Sequence, residues 1–410
     1  MFRLKTVPLL TFLLIASCGS QPEKAHFAVH RPEGPKDFSP LSAGEKAYYQ
    51  SAIEPLYENL LLKRGFNGSI LLAKNGEVVF EDYHGLANFK TKEPITANTP
   101  FHIASVSKTF TSAAVLKLME EGRIALDDKV EKFFPEFPYR NITIRNLLSH
   151  RSGLPKYDHF LDGTVSEVIL VKNRKGKLVK RTRVFKKPLP FSGPATNEDL
   201  LQYMITYRPP IEALPDRRYS YCNTNFAILA LIVEKITHMP FPEYMKKNLF
   251  EPLGMEHTFI FSIADTANYQ PSYNYNRAPF KLDRLDCIYG DKNVYSTVRD
   301  LLLWDRALYM DKYVSAKSQE LAYKPYSFER RGDKNYGLGW HLLIKPPDPT
   351  IVYHNGWWHG NNAVFKRLVA DTATVIILGN KFNRNIWSAG KMSSVFTGHA
   401  DTTRLEGSEE

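Results

Sequence analysis

The spacing of apolar and polar residues divides the chain into strand-like stretches near each end and a helical middle. Ser42-Ala43-Gly44-Glu45 puts a cap acceptor and a glutamate three residues apart, which predicts a capped amphipathic helix through about residue 63. Gly68–Lys74 and Glu77–His84 flank Asn75-Gly76, a dipeptide that tolerates positive φ at both corners of a tight turn, so an antiparallel pair is expected. A helical run follows residue 105, with apolar Val115, Leu116 and Leu118 and a stop near Gly122. Further helices are predicted over 127–134, 143–150, 196–207, 224–237 and 297–310. The chain then returns to β-branched and aromatic runs at 336–344, 350–354, 363–370 and 374–378. Strands at both ends with helices between them predict an α/β (α+β) fold. One antiparallel sheet is formed from both chain ends and flanked by helices, with a mainly helical insert over about 125–295.

The first residues follow another pattern. Arg3 and Lys5 precede an apolar run over 7–15, and Ile15-Ala16-Ser17-Cys18 follows, the layout of an export signal over 1–17. The run is shorter than the roughly 20 residues of a membrane-spanning helix. Its last four residues resemble a bacterial lipobox. Cys18 is therefore the expected lipidated N-terminus of an exported protein, held on a bacterial membrane and facing the periplasm; an ordinary signal peptide cut nearby is the alternative. Residues 18–41, rich in Pro, Ser, Glu and Lys, predict a flexible tether. A folded domain over 42–400 and a polar tail at 401–410 follow. Beyond Cys18 only Cys222 and Cys287 remain, too few for a disulfide framework and wrongly spaced for zinc.

Charge changes the picture at one place. Lys172, Arg174, Lys175, Lys177, Lys180, Arg181, Arg183, Lys186 and Lys187 hold nine basic side chains with no acid among them, against a net charge of +11 for the chain. The rest is nearly neutral, which argues against a nucleic-acid-binding protein with a basic face. Runs at 168–171 and 178–185, joined across Asn173-Arg174-Lys175-Gly176, predict a basic β-hairpin at about 165–187. It reads either as a solvated insertion or as a contact for an anionic membrane or cell-wall polymer.

Three short segments carry candidate chemistry. Ser105-Val106-Ser107-Lys108 sets a hydroxyl and an amine at i, i+3 where a helix begins. There the two side chains share one face, and the first-turn N–H groups favour a developing alkoxide. The pattern alone is cheap, since Ser388-Ala389-Gly390-Lys391 repeats it with nothing catalytic downstream. Tyr221-Cys222-Asn223 lies just before a helix with apolar Phe226, Leu229, Ala230 and Val233. A tyrosine beside an ammonium can act as a general base, and an asparagine amide can meet a substrate carbonyl. Cys222, with no partnered histidine indicated, reads as a small buried filler. His354-Asn355-Gly356-Trp357 ends one strand before another; the glycine permits close approach, and the Trp357 N–H would complete an oxyanion pair with that of Ser105. His102 and His150 read as structural.

Together and in this order, Ser105/Lys108, Tyr221/Asn223 and His354/Gly356 resemble the motifs of the serine β-lactamase and penicillin-binding-protein superfamily. Class C enzymes and their carboxypeptidase and esterase relatives are the nearest look-alikes. The resemblance spans about 66–380 and extends to Leu147-Leu148-Ser149-His150-Arg151-Ser152-Gly153-Leu154-Pro155, Phe250-Glu251-Pro252-Leu253-Gly254-Met255 and Gly290-Asp291-Lys292-Asn293-Val294-Tyr295-Ser296. It implies a β-lactamase/transpeptidase-like fold. It also implies Ser105 as the acylated nucleophile, Lys108 and Tyr221 as the proton-transfer pair, Asn223 as a substrate-amide contact, and Ser105 with Trp357 as oxyanion donors. His354, Asn355 and Gly356 would fill the third motif. No metal or cofactor is implied. Class C β-lactamases usually begin that motif with lysine, so His354 points toward the carboxypeptidase, aminopeptidase and esterase relatives and away from efficient antibiotic hydrolysis. The expected activity is hydrolysis of a small ester, amide or D-amino-acid peptide through an acyl-enzyme. The alternatives are a weak β-lactamase and an inactive relative that binds muropeptides or a partner protein.

Overall fold

The structure, a computed structural model, describes residues 38–398 apart from 187, 264, 266–268 and 330–331. The expected export signal, Cys18, most of the tether and the polar tail lie outside the described residues.

A seven-stranded antiparallel sheet runs in the order Lys334–Tyr336, His341–Leu343, Ile351–Trp358, Asn361–Leu368, Ala373–Gly379, Gly68–Lys74 and Glu77–His84. The two chain ends meet where Gly68 pairs with Gly379. Asn75 and Gly76, both at positive φ, close the turn between the two N-terminal strands. Alternation along each strand feeds two cores. Ile70, Leu72, Val364, Val375 and Ile377 face the Ala43–Leu60 helix through Ile53 and Tyr57, and meet Ile386, Trp387 and Met392 from the C-terminal turns. Leu71, Ala73, Ala363, Phe365, Ile376 and Leu378 face the large helical side. Ser42 and Glu45 form the reciprocal cap that the spacing implied.

On that second side the Ser107–Glu120 helix is buried around its circumference from Ser107 to Leu116, as is Asn223–Thr237 from Asn223 to Val233. An all-round buried helix belongs to the middle of a large core and can hold polar side chains without water. Phe110 anchors it between Phe250 and Trp304, with ring centroids 5.6 and 5.1 Å away.

Three expected elements differ. Residues 127–134 form only the turn Val130–Lys132, because Val130 N–H donates to Ile142 and Ile144 N–H to Asp128, drawing the segment into an extended pairing. The run 336–344 is split at Gly337-Leu338-Gly339-Trp340, where Gly339 takes positive φ and the strand folds back on itself. The strand at 350–354 continues to Trp358, since all of Val352–Trp358 pairs with the next strand across the His359-Gly360 turn.

One ion pair locks helix to sheet. Arg367 Nε donates to Asp305 on the Val298–Tyr309 helix and Arg367 Nη1 donates to Tyr323 Oη at 2.6 Å, with both charged side chains buried. Removing one partner strands the other charge in a medium that cannot solvate it. Asp305→Ala is therefore expected to lower unfolding free energy by about 3–5 kcal/mol in denaturant titration.

Candidate active site

Ser105 sits in the turn Ala104–Val106, which runs directly into the Ser107–Glu120 helix. Ala104 adopts φ +48, a left-handed conformation that costs a non-glycine residue energy and needs outside support. The support comes from His102, whose Nδ1 accepts from Ala104 N–H at 3.1 Å. That bond makes Nε2 the protonated nitrogen, and it donates to Asn293 Oδ1 at 3.0 Å. Asn293 in turn donates to the carbonyls of Asp286 and Ile288 at 2.6 and 2.8 Å. Val294 closes the clip: its N–H donates to Ser107 Oγ at 3.1 Å and its carbonyl accepts from Ile103 at 2.9 Å.

Lys108, fully buried as the second residue of that helix, donates to Ser105 Oγ at 3.0 Å and to the Asp291 carbonyl at 2.9 Å. Its Nζ lies 4.9 Å from the centroid of the Tyr221 ring. The Asp291 side chain is itself held, accepting from Tyr157 Oη at 2.5 Å, while buried Lys292 donates to the same phenol at 2.6 Å. The carbonyl that receives Lys108 therefore belongs to a residue fixed on two sides.

Tyr221 stands at the foot of the Asn223–Thr237 helix in a cage of rings, 4.2 Å from His150 and 6.2 Å from His341 between centroids. His150 Nδ1 also accepts from Cys222 N–H at 3.2 Å, which fixes the backbone beside Tyr221. Asn223 is buried with its Oδ1 unpaired among the described residues. Cys222 turns away toward the Leu154 carbonyl, and burial pushes its thiol up to about 12, so it fills space and offers no thiolate. Cys222 and Cys287 are both free thiols.

The Ile351–Trp358 strand brings the third segment alongside. A Cβ on Gly356 would lie 2.4 Å from the Ile103 carbonyl and 3.1 Å from Ser105 N, so only glycine lets the strand edge meet the turn this closely. The backbone amides of Ser105 and Trp357 flank that contact. The Trp357 indole donates to the His359 carbonyl at 2.9 Å, and Asn355 Oδ1 is buried and unpaired among the described residues. His354 Nδ1 donates to the Asn355 carbonyl at 2.7 Å, leaving Nε2 to accept from Tyr336 Oη at 3.2 Å. Burial, then the neighbouring His341 and Lys108, hold its pKa well below the ordinary histidine value. Position 354 thus carries a neutral imidazole with both nitrogens engaged. Ser388, by contrast, is exposed on the Asn385–Ala389 helix.

Of the sequence candidates, Ser105, Lys108 and Tyr221 share one buried cluster, and the His354–Trp357 edge abuts the Ser105 turn. Sequence reasoning read His102 only as structural and gave no role to Asn293, Asp291 or Tyr336. The stretch Gly290–Ser296, quoted only as a resemblance, held the signal for two of them. Asp283, Asp286 and His359 place ligand-type atoms within 4.8 Å of one another. Asp286 is already engaged, accepting from Trp358 Nε1 at 2.6 Å and bonding His359 Nε2 at 3.0 Å, so the trio pins the loop behind Trp358.

Three buried histidines and the half-buried His341 make acid stability predictable. Burial pushes His102 down to about 4 and His341 to about 3, and holds His150 and His354 well below the ordinary 6.5. As pH falls below 6.5 the unfolded chain takes up these protons first. The stability they confer is complete above 6.5 and, for His102, is lost between 6.5 and about 4. For His102 alone that loss is about 3 kcal/mol. Melting temperature is expected to fall steadily across this window, with a shallower slope in His102→Asn.

These features bring a buried hydroxyl, amine and phenol together where a seven-stranded antiparallel sheet meets the large helical side. The sequence profile described as Beta-lactamase matches residues 58–385. Penicillin-binding protein 4* of Bacillus subtilis is 31% identical over 346 residues, covering 80% of this chain and 71% of that protein. D-aminopeptidase of Brucella anthropi is 26% identical over 284 residues, covering 68% of this chain and 49% of that protein. Among solved structures, a class C β-lactamase superposes with a TM-score of 0.67 at 18% identity, covering 90% of this chain and all of that one. The chain belongs to the Beta-lactamase family, within the serine β-lactamase and penicillin-binding-protein superfamily. Its relatives support a serine hydrolase acting on small molecules or peptides.

Proposed function

We propose that this protein cleaves small esters, amides or D-amino-acid peptides through an acyl-enzyme on Ser105. The observation that carries the reading is the 3.0 Å contact from Lys108 Nζ to Ser105 Oγ, buried beside Tyr221. In the proposed reaction Ser105 Oγ bonds to the substrate carbonyl carbon while its proton passes to the Lys108/Tyr221 pair. The oxyanion formed is met by the N–H groups of Ser105 and Trp357, and Asn223 and Asn355 offer amides to the substrate backbone. The C–N or C–O bond then breaks, the leaving amine or alcohol takes the proton, and water releases the acid in a second passage.

Neutral His354 argues for the aminopeptidase, amidase and esterase end of the superfamily. A lysine in that place would offer a charge to a substrate carboxylate, whereas an imidazole with both nitrogens engaged offers none. A relative bearing the name D-aminopeptidase agrees with this. Export and membrane anchoring through Cys18 belong to the same reading, which places the enzyme where D-amino-acid peptides of the cell wall occur.

The test is a panel of p-nitrophenyl esters, D-amino-acid amides, D-Ala-D-Ala peptides and nitrocefin given to the purified protein. Turnover of the esters or D-amino-acid substrates, with nitrocefin much slower, is expected. An enzyme that hydrolyses nitrocefin best would overturn the assignment of specificity, and one that turns over nothing would overturn the activity.

A further inference from the structure

The strands Thr164–Lys172 and Leu178–Lys186 pair in register from Thr164 with Lys186 to Lys172 with Leu178, and close through a turn that Asn173 Oδ1 caps by accepting from Lys175 and Lys177 N–H. At about 3.3 Å per residue the ribbon is about 30 Å long. Strand alternation sorts its side chains. One face holds Val168, Leu170, Leu178 and Val184, at 68, 63, 56 and 64% exposure, together with Lys172, Lys180 and Lys186. The other holds half-buried Ile169, Val171 and Val179 with Arg181 and Arg183, the latter 3.7 Å from Glu167.

We propose that this hairpin docks on an anionic phospholipid surface. A merely solvated ribbon gives no reason for four exposed aliphatics on one face of an unpartnered two-stranded sheet, a surface prone to association. A soluble anionic polymer would engage the lysines and arginines and leave those aliphatics in water. A lipid interface matches both chemistries, because headgroup phosphates take the cationic heads while the aliphatics and the lysine stems enter the headgroup and acyl boundary. Reach agrees with this: residues 19–37 between Cys18 and the first described residue extend at most about 65 Å. A domain anchored by that segment holds the ribbon within range of the same bilayer, although the docking does not require the anchor.

The test uses the full-length chain carrying Cys18→Ser, so that no acyl group contributes, in co-sedimentation with vesicles of phosphatidylcholine alone or mixed with phosphatidylglycerol. Binding is expected only to the anionic vesicles and should weaken as salt rises. Lys172→Glu with Lys180→Glu changes four charges and should weaken binding at least about a hundredfold. Leu170→Ser with Leu178→Ser leaves charge intact and should weaken binding about tenfold or more. Unchanged melting temperatures in both variants show that the fold persists. Absence of binding to anionic vesicles overturns the proposal. So does binding indifferent to the leucine pair, or capture by a soluble polyanion such as lipid-free teichoic acid in place of vesicles.

Discussion

Ser105→Ala is expected to lower kcat/KM for the best ester or D-amino-acid substrate by about 10⁴-fold or more while substrate still binds. The side chain removed is small and lies in a turn fixed by groups that do not involve its hydroxyl. His102 holds the Ala104 amide, Val294 holds Ser107, and Gly356 packs on the backbone. The fold should therefore survive, and melting temperature should stay within a few degrees of the parent. Substrate binding measured by calorimetry or competition should persist, because the amides of Ser105 and Trp357 and the side chain of Asn223 remain. Loss of binding together with turnover would show that the variant had disturbed the cleft and that the hydroxyl itself had not been tested.

Lys108→Met should reduce kcat/KM by about 10³-fold, in the range for removing a positioned proton acceptor. Methionine matches the length of the buried stem, so the helix keeps its packing. The ammonium that joins Ser105 Oγ, the Asp291 carbonyl and the face of Tyr221 is lost. Lys108→Arg should be nearly as inactive, because the planar guanidinium has no room in a site where the native side chain is fully buried. The pair separates charge from chemistry: if arginine restores most of the activity, Lys108 acts as a fixed positive charge and the proton passes elsewhere.

Much of the frame was legible because its signals are local. The Ser42/Glu45 cap and the Asn75-Gly76 turn lie within a few residues of what they organise, and they appear as read. The Ile351–Trp358 strand was read too short, because His354, Asn355 and Gly356 break the apolar alternation where the site needs polar atoms and close approach. Residues 127–134 have helical spacing, yet pairing with the segment around Ile142 gives their amides partners that periodicity cannot register.

The candidate site divides in the same way. Ser105 and Lys108 are three residues apart on one helix face, so their meeting follows from helical geometry. The clip that holds the turn joins His102 to Asn293 across 191 positions, and no local pattern reveals it. The second partner of Lys108 is a backbone carbonyl, which no residue identity announces. His354 was readable as a missing lysine. Its neutrality comes from burial and from the nearby His341 and Lys108, and its Nε2 partner Tyr336, two strands away, comes within 3.2 Å only through the fold.

Peptide mapping by mass spectrometry, after acid quench of the enzyme turning over a slow ester or D-aminoacyl substrate, addresses the acyl-enzyme most directly. The account predicts an added acyl group on the peptide containing Ser105, absent in Ser105→Ala and accumulating in variants that slow deacylation. Substrate consumed with no adduct on that peptide, or with the acyl group on another residue, would contradict it.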